Sequence, residues 1–212
     1  MKKILLMIMV IVFTATLINA QDDNNDSRTK LMFGVKAGLN LSNVYDTEGE
    51  DFEADAKLGF VAGAFVAIPI GKYLGFHPEL LLSQKGYKGT GTFASIPYEF
   101  TRTSTFIDLP LLIAFKPTES LTLLAGPQYS YLIKQKDEFK SDVFTDEQEE
   151  DFSNDDLRNN LLCIVLGGDF NFSRVVIGAR AGWDIQNNVK DGPSTTPRYK
   201  NVWYQATIGF RF

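Results

Sequence analysis

The chain ends on NVWYQATIGFRF, Asn201 to Phe212. Taken by alternate residues, Val202, Tyr204, Ala206, Ile208, Phe210 and Phe212 fall on one side, and Trp203, Gln205, Thr207, Gly209 and Arg211 on the other. A β-strand sends successive side chains to opposite faces, so the stretch reads as a strand with one apolar and one mostly polar face. It ends on an aromatic residue, Phe212.

The other end of the chain decides where such a strand belongs. Lys2 and Lys3 precede a nearly uninterrupted apolar run, Ile4 to Leu17, and Ile18-Asn19-Ala20 places a small residue before Gln21. That is the layout of a secretory signal peptide over residues 1–20, with an apolar run too short for a membrane span. No cysteine follows the run, which argues against a lipid anchor, and no other stretch is long and apolar enough for a transmembrane helix. Removing residues 1–20 leaves 19 basic against 26 acidic residues, a balance of −7. This opposes nucleic-acid binding, which needs a basic surface. A single cysteine, Cys163, excludes an internal disulfide framework. Residues 21–30, with Asp22, Asp23, Asn24, Asn25 and Asp26, read as a disordered linker, and residues 31–212 as one domain.

Seven further strands precede the last. The first, about Leu31 to Val44, sets Phe33, Val35, Ala37, Leu39 and Leu41 against Gly34, Lys36, Gly38, Asn40 and Ser42. The second, Leu58 to Ile68, is followed by the tight turn Pro69 to Lys72. The third, Tyr73 to Lys88, sets Pro78, Leu80 and Leu82 against His77, Glu79, Ser83 and Lys85. The fourth, Tyr98 to Lys116, turns at Pro117 to Ser120 into the fifth, Leu121 to Ile133. The sixth, Leu161 to Phe170, is apolar on both faces except at Asp169, and turns at Asn171 to Ser173 into the seventh, Arg174 to Trp183. Between strands lie longer connections at Tyr45–Ala56, Gly89–Pro97, Lys134–Asn160 and Asp184–Lys200. The longest, Lys134–Asn160, carries ten acids and four bases and is expected to be mobile, with at most a short helical turn.

The resulting eight strands, joined alternately by long and short connections, predict an eight-stranded antiparallel up-and-down transmembrane β-barrel. Short periplasmic turns and long extracellular loops are the pattern of outer-membrane barrels. A secreted soluble binding barrel has the same count. It would hide its apolar face inside, whereas here the less apolar face carries Lys36, Glu79, Asp108, Arg180 and Arg211. The continuous apolar face is therefore the outside, and the cell outer membrane the expected location.

Four motifs now carry a resemblance. Gly34-Val35-Lys36-Ala37-Gly38-Leu39-Asn40, Pro78-Glu79-Leu80 with Ser83-Gln84-Lys85-Gly86-Tyr87, Asp108-Leu109-Pro110-Leu111-Leu112 and Ala125-Gly126-Pro127-Gln128 resemble the PorT-like outer-membrane β-barrel family of Gram-negative bacteria. The family often has Glu where this chain has Asp108. The resemblance implies an integral outer-membrane barrel and no shared reaction; the secretion-linked role of the namesake is not carried over.

Eight strands enclose space just large enough for side chains, so inward charges are expected to pair. Lys36, Glu79, Lys85, Asp108, Asp169, Arg174, Arg180 and Arg211 are the expected lumen polar network, with Lys36, Glu79, Asp108 and Arg180 meeting at one depth. Proton relay or ion conduction is the functional counterpart of that structural plug. The one histidine, His77, lacks an evident Ser–His–acid grouping and reads as a lumen or rim residue. The acidic runs, Asp46 to Asp55 and Asp146 to Asp156, lack the Gly-containing calcium-loop pattern. No catalytic, cofactor or metal residue is assigned. The expected protein is a monomeric, non-enzymatic outer-membrane barrel with a structural, adhesive or ligand-contacting role through its surface loops. The alternatives are a component of a secretion or envelope assembly, a lipid-modifying barrel enzyme and a narrow channel. Expected partners are outer-membrane lipid, the barrel-assembly machinery through the strand ending at Phe212, and an unknown surface or periplasmic protein.

Overall fold

A computed structural model describes residues 26–46, 54–93, 96–141, 145–151, 158–189 and 198–212. The signal peptide and the first half of the predicted linker lie outside these residues. After a 3-10 turn at Ser27–Thr29 come nine strands: β1 Met32–Asp46, β2 Asp55–Pro69, β3 Leu74–Phe93, β4 Ile96–Phe115, β5 Leu121–Ser141, β6 Thr145–Asp151, β7 Asn160–Phe172, β8 Val175–Asp184 and β9 Tyr199–Arg211. Every pairing is antiparallel, and β1 closes on β9 from Gly34↔Arg211 to Asp46↔Tyr199. The eight strands other than β6 form the barrel; β6 adds to the upper part of β5, Lys134↔Asp151 to Lys140↔Thr145.

Closure is what allows this sheet in a membrane, because it leaves no strand edge unpaired in hydrocarbon. The terminal strand obeys its alternation: Trp203, Gln205 and Thr207 are buried, while Tyr204, Ala206, Ile208 and Phe210 are exposed. The same parity runs round the wall. Leu39, Leu58, Leu80, Leu109, Leu123, Leu166, Ile177 and Ile208 all face outward and are exposed, while Lys36, Glu79, Lys85, Asp108, Asp169 and Arg180 are buried. A contiguous apolar exterior of this kind has no place in water; lipid is its solvent.

Several connections are more ordered than their composition implies. The Gly89–Pro97 stretch is not a loop: β3 runs to Phe93 and β4 starts at Ile96, paired down to Phe93↔Ile96. Lys134–Asn160 is likewise not a mobile loop throughout, since β5 continues to Ser141 and β6 pairs back onto it; residues 142–144 and 152–157 are outside the described chain. Backbone pairing supplies what the few apolar residues of these stretches do not. Register also sets Lys134 opposite Asp151 and Lys136 opposite Glu149, so acids and bases counted together as one polar run are spread across paired strands. The Tyr45–Ala56 loop narrows to the undescribed 47–53, and Asp184–Lys200 to 190–197.

The linker reading fails over 26–30. Asp26 caps the turn by accepting from the Arg28 backbone N–H, and the turn docks on the end of the barrel that carries the short connections. Arg28 Nη1 donates to the Pro117 carbonyl at 3.2 Å, Ser27 Oγ meets Glu119 Oε2 at 3.2 Å, and Lys116 Nζ donates to the Arg28 carbonyl at 3.0 Å. Lys72 Nζ lies 3.5 Å from Asp26 Oδ2, and the Arg28 guanidinium lies over the Tyr73 ring at 5.2 Å. Two short turns, between β2 and β3 and between β4 and β5, meet the strap there, each bringing a partner that its local sequence does not reveal.

Candidate functional site

The interior is filled in layers. Lowest is the docked turn, an N-terminal strap across the periplasmic mouth. Arg28 beside Asp26, hydrogen-bonding it through side chain and backbone, holds that carboxyl well below the usual carboxylate range. Between the strap and the charges above lies a cavity of about 20 Å³, bordered by Arg28, Phe65, His77, Lys116, Asp169 and Arg211. It has room for about one water molecule.

Above it sits the first charge cluster. Glu79 Oε2 takes Arg180 Nη1 at 2.7 Å and pairs with Lys36 Nζ, while Glu79 Oε1 faces His77 Nε2 at 3.3 Å. Arg180 Nη2 reaches Asp169 Oδ2 at 3.4 Å. The His77 ring stacks on Phe65, centroids 5.0 Å apart. Alternation places these groups: Lys36 on β1, His77 and Glu79 two apart on β3, Asp169 on β7 and Arg180 on β8 all have inward parity. Two cations and two carboxylates balance, the condition for keeping such charges in a space without bulk water.

The second cluster is separate. Lys85 Nζ lies 3.1 Å from Asp108 Oδ2, Ser83 Oγ donates to the same oxygen at 2.5 Å, and Lys85 Nζ also donates to Ser130 Oγ at 3.3 Å. Gln128 Nε2 donates to Ser130 Oγ at 3.0 Å. The Lys85 ammonium lies 3.9 Å from the Trp203 ring centroid, which adds a π-face to its partners. Next to it, Cys163 Sγ donates to Asp184 Oδ1 at 3.0 Å, and Asp184 Oδ2 accepts from the Asn201 backbone N–H at 3.1 Å and its side chain at 2.5 Å. Around this runs an apolar core of Phe106, Leu112, Leu124, Leu132, Leu161, Cys163, Val165 and Trp203. That core explains why the sixth predicted strand, now β7, is apolar on both faces: one meets lipid and the other packs inside. Higher still, Arg102 forks onto Asp137 at 2.8 and 2.6 Å beside Tyr87 and Tyr199.

The expected single network is therefore two. Lys36, Glu79, Asp169 and Arg180 meet in the lower cluster; Lys85 and Asp108 meet in the upper one, so Asp108 does not join Glu79. Asp108 pairs in register with Leu81, two residues farther along β3 than Glu79, and the strand tilt opens that into a full layer. Arg211 is at the rim, donating to the Ser173 carbonyl at 2.7 Å and Asn171 Oδ1 at 3.1 Å. Arg174 is exposed, outside the lumen altogether, because the turn falls at Ser173–Arg174 and β8 starts only at Val175. Asp184, Cys163, Ser83, Ser130 and Trp203 are lumen residues that charge-spotting passes over. Parity finds Asp184, two and four residues from the inward Gly182 and Arg180, once β8 is extended to include it. The hydroxyls of Ser83 and Ser130 serve Asp108 and Lys85 and not His77.

No curated protein matches the chain. Among solved structures, the attachment invasion locus protein Ail of Yersinia pestis aligns at 17% identity over 85% of this chain and 98% of that one, with a TM-score of 0.46. Neisserial surface protein A aligns at 13% over 85% and 97%, TM-score 0.45, and OprG from Pseudomonas aeruginosa at 14% over 85% and 95%, TM-score 0.37. The family model for the outer membrane protein beta-barrel domain matches residues 19–191. With that match over most of its length, and a closed eight-stranded barrel wearing its apolar face outward, the chain belongs to the outer membrane protein beta-barrel domain family.

Proposed function

We propose that this outer-membrane barrel works as a surface-contact protein, through the strands that rise past its rim, and not by conduction or catalysis. One observation carries the reading: the lumen is occupied by two paired charge clusters and an apolar core, while β3, β4 and β5 extend to 20, 20 and 21 residues and gain β6 beside them. About ten tilted residues span the membrane, so half of each of these strands stands in the outer aqueous space as a small sheet. Strands that long are a rigid platform for contact.

The PorT-like resemblance supports a second reading, a component of a secretion or envelope assembly. The residues that carry it weigh against reading it as a partner site. Lys36, Glu79, Ser83, Lys85, Asp108 and Gln128, all within its motifs, are buried lumen residues, so the shared pattern describes how the barrel is filled.

The test replaces residues 136–149 with a short Gly-Ser turn and keeps the barrel. The trimmed protein is expected to remain heat-modifiable on gels while cells carrying it lose attachment to surfaces or to one another. Unchanged attachment, or stepwise conductance by the intact protein in planar bilayers, would refute the surface-contact reading. Co-isolation with a periplasmic assembly that survives the trimming would favour the second reading.

A further inference from the structure

We propose that the upper lumen is a self-modification site, where Lys85 and Asp108 condense into an intramolecular amide that ties β3 to β4. Lys85 Nζ lies 3.1 Å from Asp108 Oδ2 and 3.3 Å from Oδ1, so the nitrogen faces both oxygens of one carboxyl group. Each of the two residues is only 1% exposed. The Phe106 and Trp203 rings flank the nitrogen, with centroids 4.8 and 3.9 Å from it, and the apolar core closes round the pair. A nucleophile and an electrophile held together away from bulk water meet the condition under which an intramolecular reaction gains most.

A nucleophilic amine requires that Lys85 give up a proton, and the layer holds a path for it. Ser130 Oγ accepts from Lys85 Nζ at 3.3 Å and from Gln128 Nε2 at 3.0 Å. With both acceptor positions of the hydroxyl used, its own proton is left to point at Cys163 Sγ, 3.5 Å away. The Cys163 thiol in turn donates to Asp184 Oδ1 at 3.0 Å. Donors therefore run one way, from the ammonium through a hydroxyl and a thiol to a second carboxylate. The lower cluster lacks this arrangement. There Glu79 is shared between Lys36 and Arg180, and a guanidinium does not deprotonate in proteins.

The step balances without a co-reactant. The Lys85 ammonium passes one proton along the relay to Asp184, which leaves an amine with a free electron pair. That pair attacks the Asp108 carboxyl carbon and forms the C–N bond. Ser83 Oγ, which donates to Asp108 Oδ2 at 2.5 Å, steadies the oxygen on which charge gathers. As the adduct collapses, the nitrogen releases a second proton and the bond from carbon to Oδ1 breaks. Oδ1 leaves as water, carrying that second proton and the one returned from Asp184. One ammonium and one carboxylate become one amide and one water, and nothing is oxidised or reduced. The product also removes two charges from a space where keeping them out of water is costly.

The test maps peptides of the full mature chain by mass spectrometry, because only a branched peptide places the loss of water at this pair. Barrels taken from outer membranes are expected to yield one peptide joining the Lys85 and Asp108 segments, lighter than their sum by one water. Lys85→Arg, which keeps the charge and cannot deprotonate, should yield the two segments separately. The relay is read from the rate at which the branched peptide appears when chain purified unfolded is folded into detergent micelles. Cys163→Ala should slow that rate about a hundredfold, and Cys163→Ser, which restores a donor, should recover most of it. Asp184→Asn should be slow even where the heat-modifiable fraction is unchanged. Separate Lys85 and Asp108 segments in full yield from unaltered, assembled barrels would overturn the proposal, and need no variant to fold. An undiminished rate in Cys163→Ala would overturn the relay. The bond does not depend on the surface-contact reading, so failure of the attachment assay leaves it standing.

Discussion

Glu79 holds the lower lumen together because one carboxylate serves two cations and a histidine. Removing it leaves Lys36 and Arg180 facing each other with Asp169 as the remaining anion, and breaking a buried pair from one side costs about 3–5 kcal/mol. Glu79→Ala is therefore expected to lower the midpoint of urea unfolding far more than Glu99→Ala, whose exposed pair with Lys88 spans 3.7 Å and is worth about 0–1 kcal/mol. Equal midpoints would show that the lumen charges are not mutually stabilising. Cys163 gives an independent probe of the upper layer. Its thiol is fully buried between Asp184 and Ser130, so maleimide should leave the folded barrel unlabelled and label the unfolded chain. Rapid labelling in the folded state would mean a solvated interior. Gly182 is small for a definite reason as well. A Cβ there would lie 2.3 Å from the Trp203 ring, so the indole occupies the space that a side chain on β8 would take.

At the scale of the element, each barrel strand carries a lipid face and a lumen face, and the two tolerate different changes. On β8, Ile177 points to lipid and Gly178 points inward, where an added Cβ would meet Thr207 Oγ1 at 2.6 Å and Asp169 Oδ1 at 2.7 Å. Ile177→Arg places a charge on the apolar wall at a cost of about 2–4 kcal/mol at mid-membrane and should reduce the assembled, heat-modifiable fraction, while Ile177→Leu assembles normally. Full assembly of Ile177→Arg would contradict a lipid-facing wall. The strap is the other element with a definite expectation. Asp26 has its acidity increased by Arg28. A carboxyl with a depressed folded pKa contributes stability above its unfolded value, about 3.9, and loses it only as pH falls through the lower folded value. Exchange protection of the Arg28 and Thr29 amides should therefore persist as the pH drops through the ordinary aspartate range. Protection lost already near that ordinary value would show that the Arg28 contact does not hold the strap.

At the scale of the whole molecule, the short turns and the strap define one end, and the risen sheet of β3 to β6 the other. With the native thiol buried, single introduced cysteines report the orientation. Glu99→Cys, on the risen part of β4, should react with a membrane-impermeant maleimide on intact cells. Lys72→Cys, in the exposed turn between β2 and β3, should react only once the outer membrane is opened. The opposite pattern would invert the topology and remove the case for contact through the risen sheet.

Much of this architecture was legible without coordinates, because a period of two is a local property. The alternation in Asn201–Phe212 already separates the lipid face from the lumen face, and the alternating connection lengths already imply a closed eight-stranded ring. Inward parity likewise assigns Lys36, Glu79, Lys85, Asp108, Asp169 and Arg180 to the interior. Parity says nothing of height, however. Whether Asp108 meets Lys85 or Glu79 depends on the register and tilt of β3 against β4, which are set by all the strands closing at once. Composition also hides pairing: Gly89–Pro97 and Lys134–Ser141 look like polar loops because their order comes from hydrogen bonds to a neighbouring strand, and polar residues make those bonds as well as apolar ones. The docking of Ser27–Thr29 is the clearest case. Its partners Lys72, Pro117 and Glu119 are distant in the chain and become neighbours only when two turns gather at one rim, so a stretch with every local mark of disorder closes the mouth of the barrel.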